Sequence, residues 1–326
     1  MKKFLRGLDI LFLARPAVLI SVWGFSVFGY YCGSMPDNIF TFTILFGKKY
    51  LIAFGWMVLF SLAVGAVYVL NQIADYTVDG KNDGFPLLVK SGIHRSVAFW
   101  YAVVLTIIAT GCPLIAGHVT LSILALSALI LGTVYSFKPV YLSGRPFTDF
   151  LTNATGYSII AFGAGWYLSP VENILRMDFF QAALPYFLLM CGGSISSTLP
   201  DIRGDSACGK RTTAVTFGVK GAHLITVAFV MAGGVAAFCI KDLPAFIIAI
   251  EFFIVDILYF ILQSQKTMEA TYKITGGIAM ILAGVMFPVL IPAGSVLFGI
   301  TWLYFRLRFG ISYPSLVPVA NASNKV

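Results

Sequence analysis

The sequence predicts an all-α, polytopic membrane bundle of about nine transmembrane helices. Of its 326 residues 59% are hydrophobic and only 11% charged, where a soluble protein carries roughly 25% charged residues. Apolar runs recur from end to end, and about 20 such residues suffice to cross a hydrocarbon core about 30 Å thick at 1.5 Å rise per residue. Together these observations exclude an aqueous globular enzyme and a single-pass anchor. Lys plus Arg outnumber Asp plus Glu by 22 to 14, which suits anionic headgroups or an anionic substrate and gives no sign of nucleic-acid binding.

The runs, taken in order between polar breaks, are 12–33, 50–72, 96–116, 118–136, 147–168, 178–198, 221–240, 244–263 and 275–305. The first follows MKKFLRG, which has the charge of a signal peptide, but Arg15-Pro16 interrupts it and no small-x-small site follows, so it reads as an uncleaved helix. The last is too long for one ordinary span and contains Pro288 and Pro292, so either it is one long helix or a broken hairpin, which leaves the side of the C-terminus open. One integral-membrane domain is expected over 1–310, with a short polar tail at 311–326. With the N-terminus in the cytoplasm, the inside segments hold fourteen Lys and Arg and the outside loops only Lys48, Lys49, Arg176 and Lys241. That bias predicts a multi-pass protein of the cell inner membrane with its N-terminus inside. Cys32, Cys112, Cys191, Cys208 and Cys239 are scattered singly, with no CxxC pair, and read as free thiols.

Five of the fourteen acidic residues lie in two clusters, each at the predicted cytoplasmic end of a span. In NQIADYTVDGKND, Asn71, Asp75, Asp79 and Asp83 are spaced by four, which places Asn71, Asp75 and Asp79 on one helix face a turn apart. Carboxylates this close repel each other unless a cation neutralises them. Magnesium takes oxygen ligands and is held by one or two carboxylates together with substrate phosphates. In LPDIRGDSACGKRTTAVTFG, Asp201 and Asp205 are again four apart, interleaved with Arg203, Lys210 and Arg211. Two acidic patches and a set of cations at one membrane face suit a diphosphate, with metal ions bridging its oxygens and Lys and Arg taking the remaining charge. A solvated loop explains one such cluster as well, but two with matching spacing favour a site. Ser197, Asp201 and Asp205 repeat the spacing of Asn71, Asp75 and Asp79 at an offset of 126 residues, by ancient duplication or by chance.

These residues resemble the UbiA-type intramembrane prenyltransferases, which join a polyprenyl diphosphate to an acceptor. The first family motif is matched by Asn71, Gln72, Asp75 and Asp79 and the second by Asp201, Asp205, Gly209, Lys210, Thr212 and Gly218. The resemblance spans nearly the whole chain. It implies magnesium-dependent transfer of a prenyl group from an allylic diphosphate to an aromatic, tetrapyrrole or lipid acceptor within the membrane, at a site facing the cytoplasm. Carried over, Asp75, Asp79, Asp201 and Asp205 are the metal and catalytic carboxylates and Asn71 belongs to the same diphosphate site. Lys138, after Tyr135-Ser136-Phe137, is expected as a diphosphate ligand, and Arg15 of the Arg-Pro pair is expected to face the same cavity. The family's basic residue before the proline that follows the first motif is absent, since Phe85 precedes Pro86 and Lys90 lies nearby instead.

Asp149 and Asn153, one turn apart, point the same way and are candidates to line the acceptor pocket. Asp256, midway through the eighth span, is costly there unless it faces the bundle interior, where it either positions the acceptor or makes an interhelical contact. His94, in the loop after the first motif, is either a phosphate contact or a solvated loop histidine, and His118 and His223 sit near span ends with no partner. The alternative function class is a polytopic transporter with a carboxylate-lined site, which would place paired carboxylates at mid-membrane.

Overall fold

The computed structural model describes residues 2–35, 43–76 and 86–314, with side chains from Gly7 onward. Asp79 and Asp83 of the first acidic cluster therefore lie outside the described residues. The described chain is helical throughout its regular structure, as predicted. A short amphipathic helix α1 (Lys2–Phe12) turns sharply into α2 (Pro16–Ser34). There follow α3 (Lys48–Ala74), a one-turn α4 (Leu87–Ser91), α5 (Arg95–Ile115) and α6 (Val119–Ser136). The next span is α7 (Thr148–Thr155) and α8 (Phe162–Tyr167), continuous through a π-helical stretch at Gly156–Ala161. After α9 (Met177–Thr198) come a one-turn α10 (Ile202–Ala207), then α11 (Thr213–Cys239), α12 (Leu243–Leu262), α13 (Gln265–Met286) and α14 (Leu290–Phe309). By length and composition eight of these segments are able to cross a membrane.

The long final run is two helices. Proline has no N–H to donate and restricts the residue before it. Phe287 accordingly leaves α13 with φ −133° and ψ 79°, and α14 starts two residues after Pro288. The break sends α14 back along the bundle. Its end meets α1, where the Arg308 guanidinium lies 3.0 Å from Asp9 and the Tyr304 hydroxyl donates to the same carboxylate at 2.7 Å. The C-terminal end of α14 therefore lies at the same end of the bundle as the N-terminal helix.

Helix pairs neighbouring in sequence pack together, α3 with α5 and α6, and α11 with α9 and α12, while α2 runs through the middle against α8, α13 and α14. The closest approach is between α2 and α8. A methyl group added at Gly29 would overlap the carbonyl oxygen of Phe162, and one at Gly165 would overlap that of Ser26. Small residues that let backbones touch are how helices pack where no hydrophobic effect drives them together. The Ser26 hydroxyl also donates to the Ala161 carbonyl at 2.9 Å, at the end of the π stretch. That stretch is wider than an α-helix and is a common feature of functional sites. Here it presents Gly156 and Tyr157 to an internal cavity.

No disulfide joins any of the five cysteines, as the sequence indicates. His118 does have a partner, contrary to the sequence reading, and His94 takes a structural part. His94 caps α5 by accepting from the Ser96 N–H, and His118 lies 3.3 Å from the Tyr167 hydroxyl. Asp256 is fully buried between α11 and α12, 3.9 Å from His223, and its oxygens have no hydrogen-bond partner among the described residues.

Candidate active site

Two cavities meet inside the bundle. The larger, about 380 Å³, is walled by α2, α3, α6, the α7–α8 span and α9, and its polar lining includes Arg15, Tyr68, Asn71, Tyr135, Asn153 and Ser197. The smaller, about 220 Å³, continues it between α2, α9, α12 and α13 and shares Tyr157, Met190 and Ser197 with it. Its walls are largely apolar and aromatic, with Phe25, Phe28, Tyr186 and Phe252 among them. A polar vestibule thus opens onto a greasy pocket.

The two acidic motifs adjoin the vestibule, with Asn71 in its wall and Ser197 lining it one turn before Asp201. On the last turn of α3, the Asn71 amide donates to the Asp75 carboxylate at 3.1 Å and to the Ser136 hydroxyl at 3.2 Å, tying the first motif to the end of α6. The second motif leaves α9 through a 3₁₀ turn at Leu199–Asp201 and a single turn of α10. Gly209 then takes φ +75°, a left-handed turn that glycine adopts without penalty. The Lys210 N–H donates back to the Asp205 carbonyl at 2.9 Å, and the Lys210 ammonium lies 3.8 Å from the Asp205 carboxylate. Lys210 interacts electrostatically with Asp75 as well as Asp205, and Asp75 with Asp205. Two motifs 130 residues apart in sequence are therefore joined through one cation. Burial alone would lower the Lys210 ammonium, but Asp75, Tyr141 and Asp205 outweigh it and hold the group above the ordinary lysine value. It is charged at every physiological pH. Asp201 is more exposed, at the outer edge, within electrostatic reach of Asp205, Lys210 and Glu269.

Several expected residues take other places. Asn153 lines the vestibule and donates to the Tyr135 hydroxyl at 3.4 Å. Asp149, one turn earlier, does not line it. Both its oxygens accept from Thr213, at 2.7 Å from the N–H and 2.6 Å from the hydroxyl, so it anchors the second motif to α7. Lys138 is exposed and lines neither cavity. The chain leaves α6 in an extended conformation at Phe137 and turns back through a Tyr141 N–H to Phe137 carbonyl bond, which carries Lys138 outward. Arg203 and Arg211 are exposed too, and the Arg211 N–H donates to the Gly144 carbonyl. Arg15 does line the vestibule, from a left-handed conformation with φ 50° and ψ 60° at the corner before α2. Such a conformation costs a non-glycine residue of order 1 kcal/mol or more and marks a position held by its surroundings.

Two tyrosines escaped the motif reading. Tyr141, in the loop after α6, lies beside Lys210 and Asp75. Tyr68, one turn before Asn71, shares a 2.6 Å hydrogen bond with Tyr157 and interacts with Arg15. Tyr68 was findable, because three residues before Asn71 is the same helix face. Tyr141 was not, since it lies on an irregular loop.

The donor set fits a hard divalent ion: Asp75, Asp201 and Asp205 offer carboxylate oxygens, Asp205 within electrostatic reach of the other two, and the Asn71 amide is hydrogen-bonded to Asp75. Among the described residues no three acidic, His or Cys side chains close into a ready-made cage. Magnesium does not require one, because it keeps waters and takes substrate phosphates as further ligands.

No curated protein sequence matches the chain. Among solved structures, a UbiA homologue from Archaeoglobus fulgidus bound to GPP and Mg2+ is 19% identical, with a TM-score of 0.64 over 85% of this chain and 99% of that one. A UbiA homologue from Aeropyrum pernix K1 is 15% identical, with a TM-score of 0.59 over 86% of this chain and 97% of that one. A digeranylgeranylglyceryl phosphate synthase is 17% identical, with a TM-score of 0.59 over 86% and 99%. At these identities the structures show a common fold. The family itself is shown by sequence, because residues 22–274, which carry both acidic motifs, Lys210 and most of the lining of the two cavities, match the UbiA prenyltransferase family, and the chain belongs to it.

Proposed function

We propose that this protein transfers a polyprenyl group from an allylic diphosphate to an aromatic, tetrapyrrole or lipid acceptor within the membrane, with magnesium at Asp75, Asp79, Asp201 and Asp205. The observation that carries the reading is the convergence of the two acidic motifs on Lys210 above a cavity that turns apolar with depth. The archaeal homologue bound to GPP and Mg2+ supports the same substrate class.

Magnesium would neutralise the diphosphate oxygens and make them a better leaving group. Lys210, with its ammonium held charged, is placed to take the negative charge that grows on the leaving diphosphate as the allylic C–O bond breaks. The Asn71 amide holds Asp75 in place rather than serving as an acid or base. The prenyl chain extends into the smaller cavity, where the faces of Phe25, Phe28 and Tyr157 suit an allylic cation and the apolar walls exclude the water that would quench it. The acceptor attacks that carbon and loses its proton.

Purified protein given geranylgeranyl diphosphate and magnesium is expected to release inorganic diphosphate when an acceptor is supplied, and to stop when the metal is chelated. Release at an undiminished rate under chelation would overturn the metal assignment. The orientation is tested separately. Cysteines introduced at Asn82 and Ser206, after the native five are replaced, are both expected to react with a permeant thiol reagent and to be spared by an impermeant one added outside intact cells. Opposite labelling of the two positions would place the motifs on different sides and end the shared site.

A further inference from the structure

Asp256 has no part in the chemistry above, yet three helices converge on it. A methyl group added at Gly192 of α9 would lie 3.4 Å from the Thr226 carbonyl and 3.1 Å from Val230, both on α11, and 3.6 Å from Phe252 of α12, so these residues share a level. One turn from there towards the acidic mouth, the facing stripes reach Ser196 on α9, His223 on α11 and Asp256 on α12. The 3.9 Å between His223 Nδ1 and an Asp256 oxygen agrees with that register. Away from the mouth the same stripes carry buried apolar residues, among them Leu189, Val230, Ala249 and Phe252. The polar residues are therefore confined to one junction of the three helices.

Their polar atoms are unmatched. Asp256, Ser196 and Thr226 are each 0% exposed, and His223 is buried beside them. Neither Asp256 oxygen has a hydrogen-bond partner among the described residues, and the same holds for Ser196 Oγ, Thr226 Oγ1 and His223 Nδ1. Tyr259 stands edge-on to the His223 ring at 4.9 Å between centroids, but its hydroxyl donates to the Met268 sulfur rather than to the carboxylate. Glu251, the other carboxylate of α12, interacts with Thr275 of α13 and adds negative charge within electrostatic reach of Asp256. An ionised carboxylate inside a membrane bundle is costly unless a counter-charge and further polar groups meet it, and such residues mark binding sites and ion pathways. A proton on Asp256 would satisfy one of the five unmatched atoms. A small cation meets the charge and draws on several oxygens at once.

We propose that this junction binds one alkali-metal cation, with the Asp256 carboxylate as the charged ligand and the Ser196 and Thr226 hydroxyls as neutral ones. All three ligands are oxygen, which suits a hard cation, and a single carboxylate matches a single positive charge. Among the described residues no three acidic, His or Cys side chains close on one point, so the donor set is too poor in charge for a divalent ion. The site is separate from the prenyl diphosphate site, since Ser196, Thr226 and Asp256 line neither cavity. It stands behind the second motif, because Ser196 lies on α9 just before that helix gives way to Asp201. The ion thereby ties α11 and α12 to the helix that carries the motif.

The test is equilibrium binding of radiolabelled sodium and of radiolabelled rubidium, which stands in for potassium, to the purified full-length protein. Choline holds the ionic strength, and magnesium is kept saturating so that the acidic mouth is occupied. Saturable binding of one ion per chain is expected, and the isotope that binds more tightly identifies the ion as sodium or potassium. Asp256→Asn is expected to abolish this binding and Asp205→Asn to leave it intact. Ser196→Ala and Thr226→Val are each expected to weaken it about tenfold, the order of one polar contact to a charged group. These two variants carry the test if Asp256→Asn does not fold. The bound ion is also expected to raise the apparent melting temperature of the parent and not that of Asp256→Asn. No saturable binding of either isotope by the parent would mean that Asp256 holds a proton, and would overturn the proposal. Binding kept in Asp256→Asn and lost in Asp205→Asn would place the ion in the acidic mouth instead. Unchanged affinity in both hydroxyl variants would likewise overturn the assignment.

Discussion

Asp75→Asn and Asp205→Asn are each expected to lower prenyl transfer by about a thousandfold, the loss typical of removing one preorganised charge from a site where transition-state charge develops. The substitutions keep the side-chain shape, and what they remove is one negative charge from a mouth that has an excess of them. The folded protein does not depend on that charge. Among the described residues Asp75 accepts a hydrogen bond from Asn71 alone, and Asp205 is matched by one lysine at 3.8 Å, a long contact in which each side chain keeps 18% exposure and which is worth on the order of 1 kcal/mol. Thermal unfolding in detergent should therefore change little while turnover collapses. Transfer within a fewfold of the parent in both variants would remove these carboxylates from the chemistry.

Arg308→Ala is expected to destabilise the protein by about 3–5 kcal/mol, because it strands a buried charge. Asp9 is 0% exposed, and the guanidinium supplies two of its three hydrogen bonds, at 3.1 Å and 3.0 Å, with Tyr304 supplying the third. In the double variant Asp9→Leu, Arg308→Leu the stranded charge is gone, so most of the lost stability should return. Apparent melting temperature in detergent reads both. A double variant as unstable as Arg308→Ala would mean that the ion pair is incidental and that α14 is held by packing alone.

The helices, the two acidic motifs and the family were legible in the amino-acid order because each is a local property. Twenty apolar residues make a span wherever they occur, and a spacing of four puts Asn71 and Asp75 on one face whatever surrounds them. Which cation serves the site was not local. Lys138 follows a tyrosine at the end of a span and carries the motif texture, yet the extended backbone at Phe137 turns it outward. Lys210 reaches both motifs because a left-handed glycine folds its loop back on Asp205 and Asp149 pins the following helix to α7. Neither contact leaves a trace in periodicity. The aromatic content was likewise uninformative as a count in a membrane bundle. Its meaning comes from Phe25, Phe28 and Tyr157 facing one cavity.

By itself, then, the sequence determined that this chain is a membrane bundle of the prenyltransferase family and where its two acidic motifs stand along it, since hydrophobic length and charge spacing are written in consecutive residues. Only the tertiary structure decided that the final run breaks at Pro288, that α14 returns to lock Asp9, and that Arg15 lines the vestibule. Those outcomes depend on residues up to 299 positions apart being packed or paired in the same place, and the cost of leaving a buried charge or amide unmatched selects among arrangements that local pattern alone leaves equal.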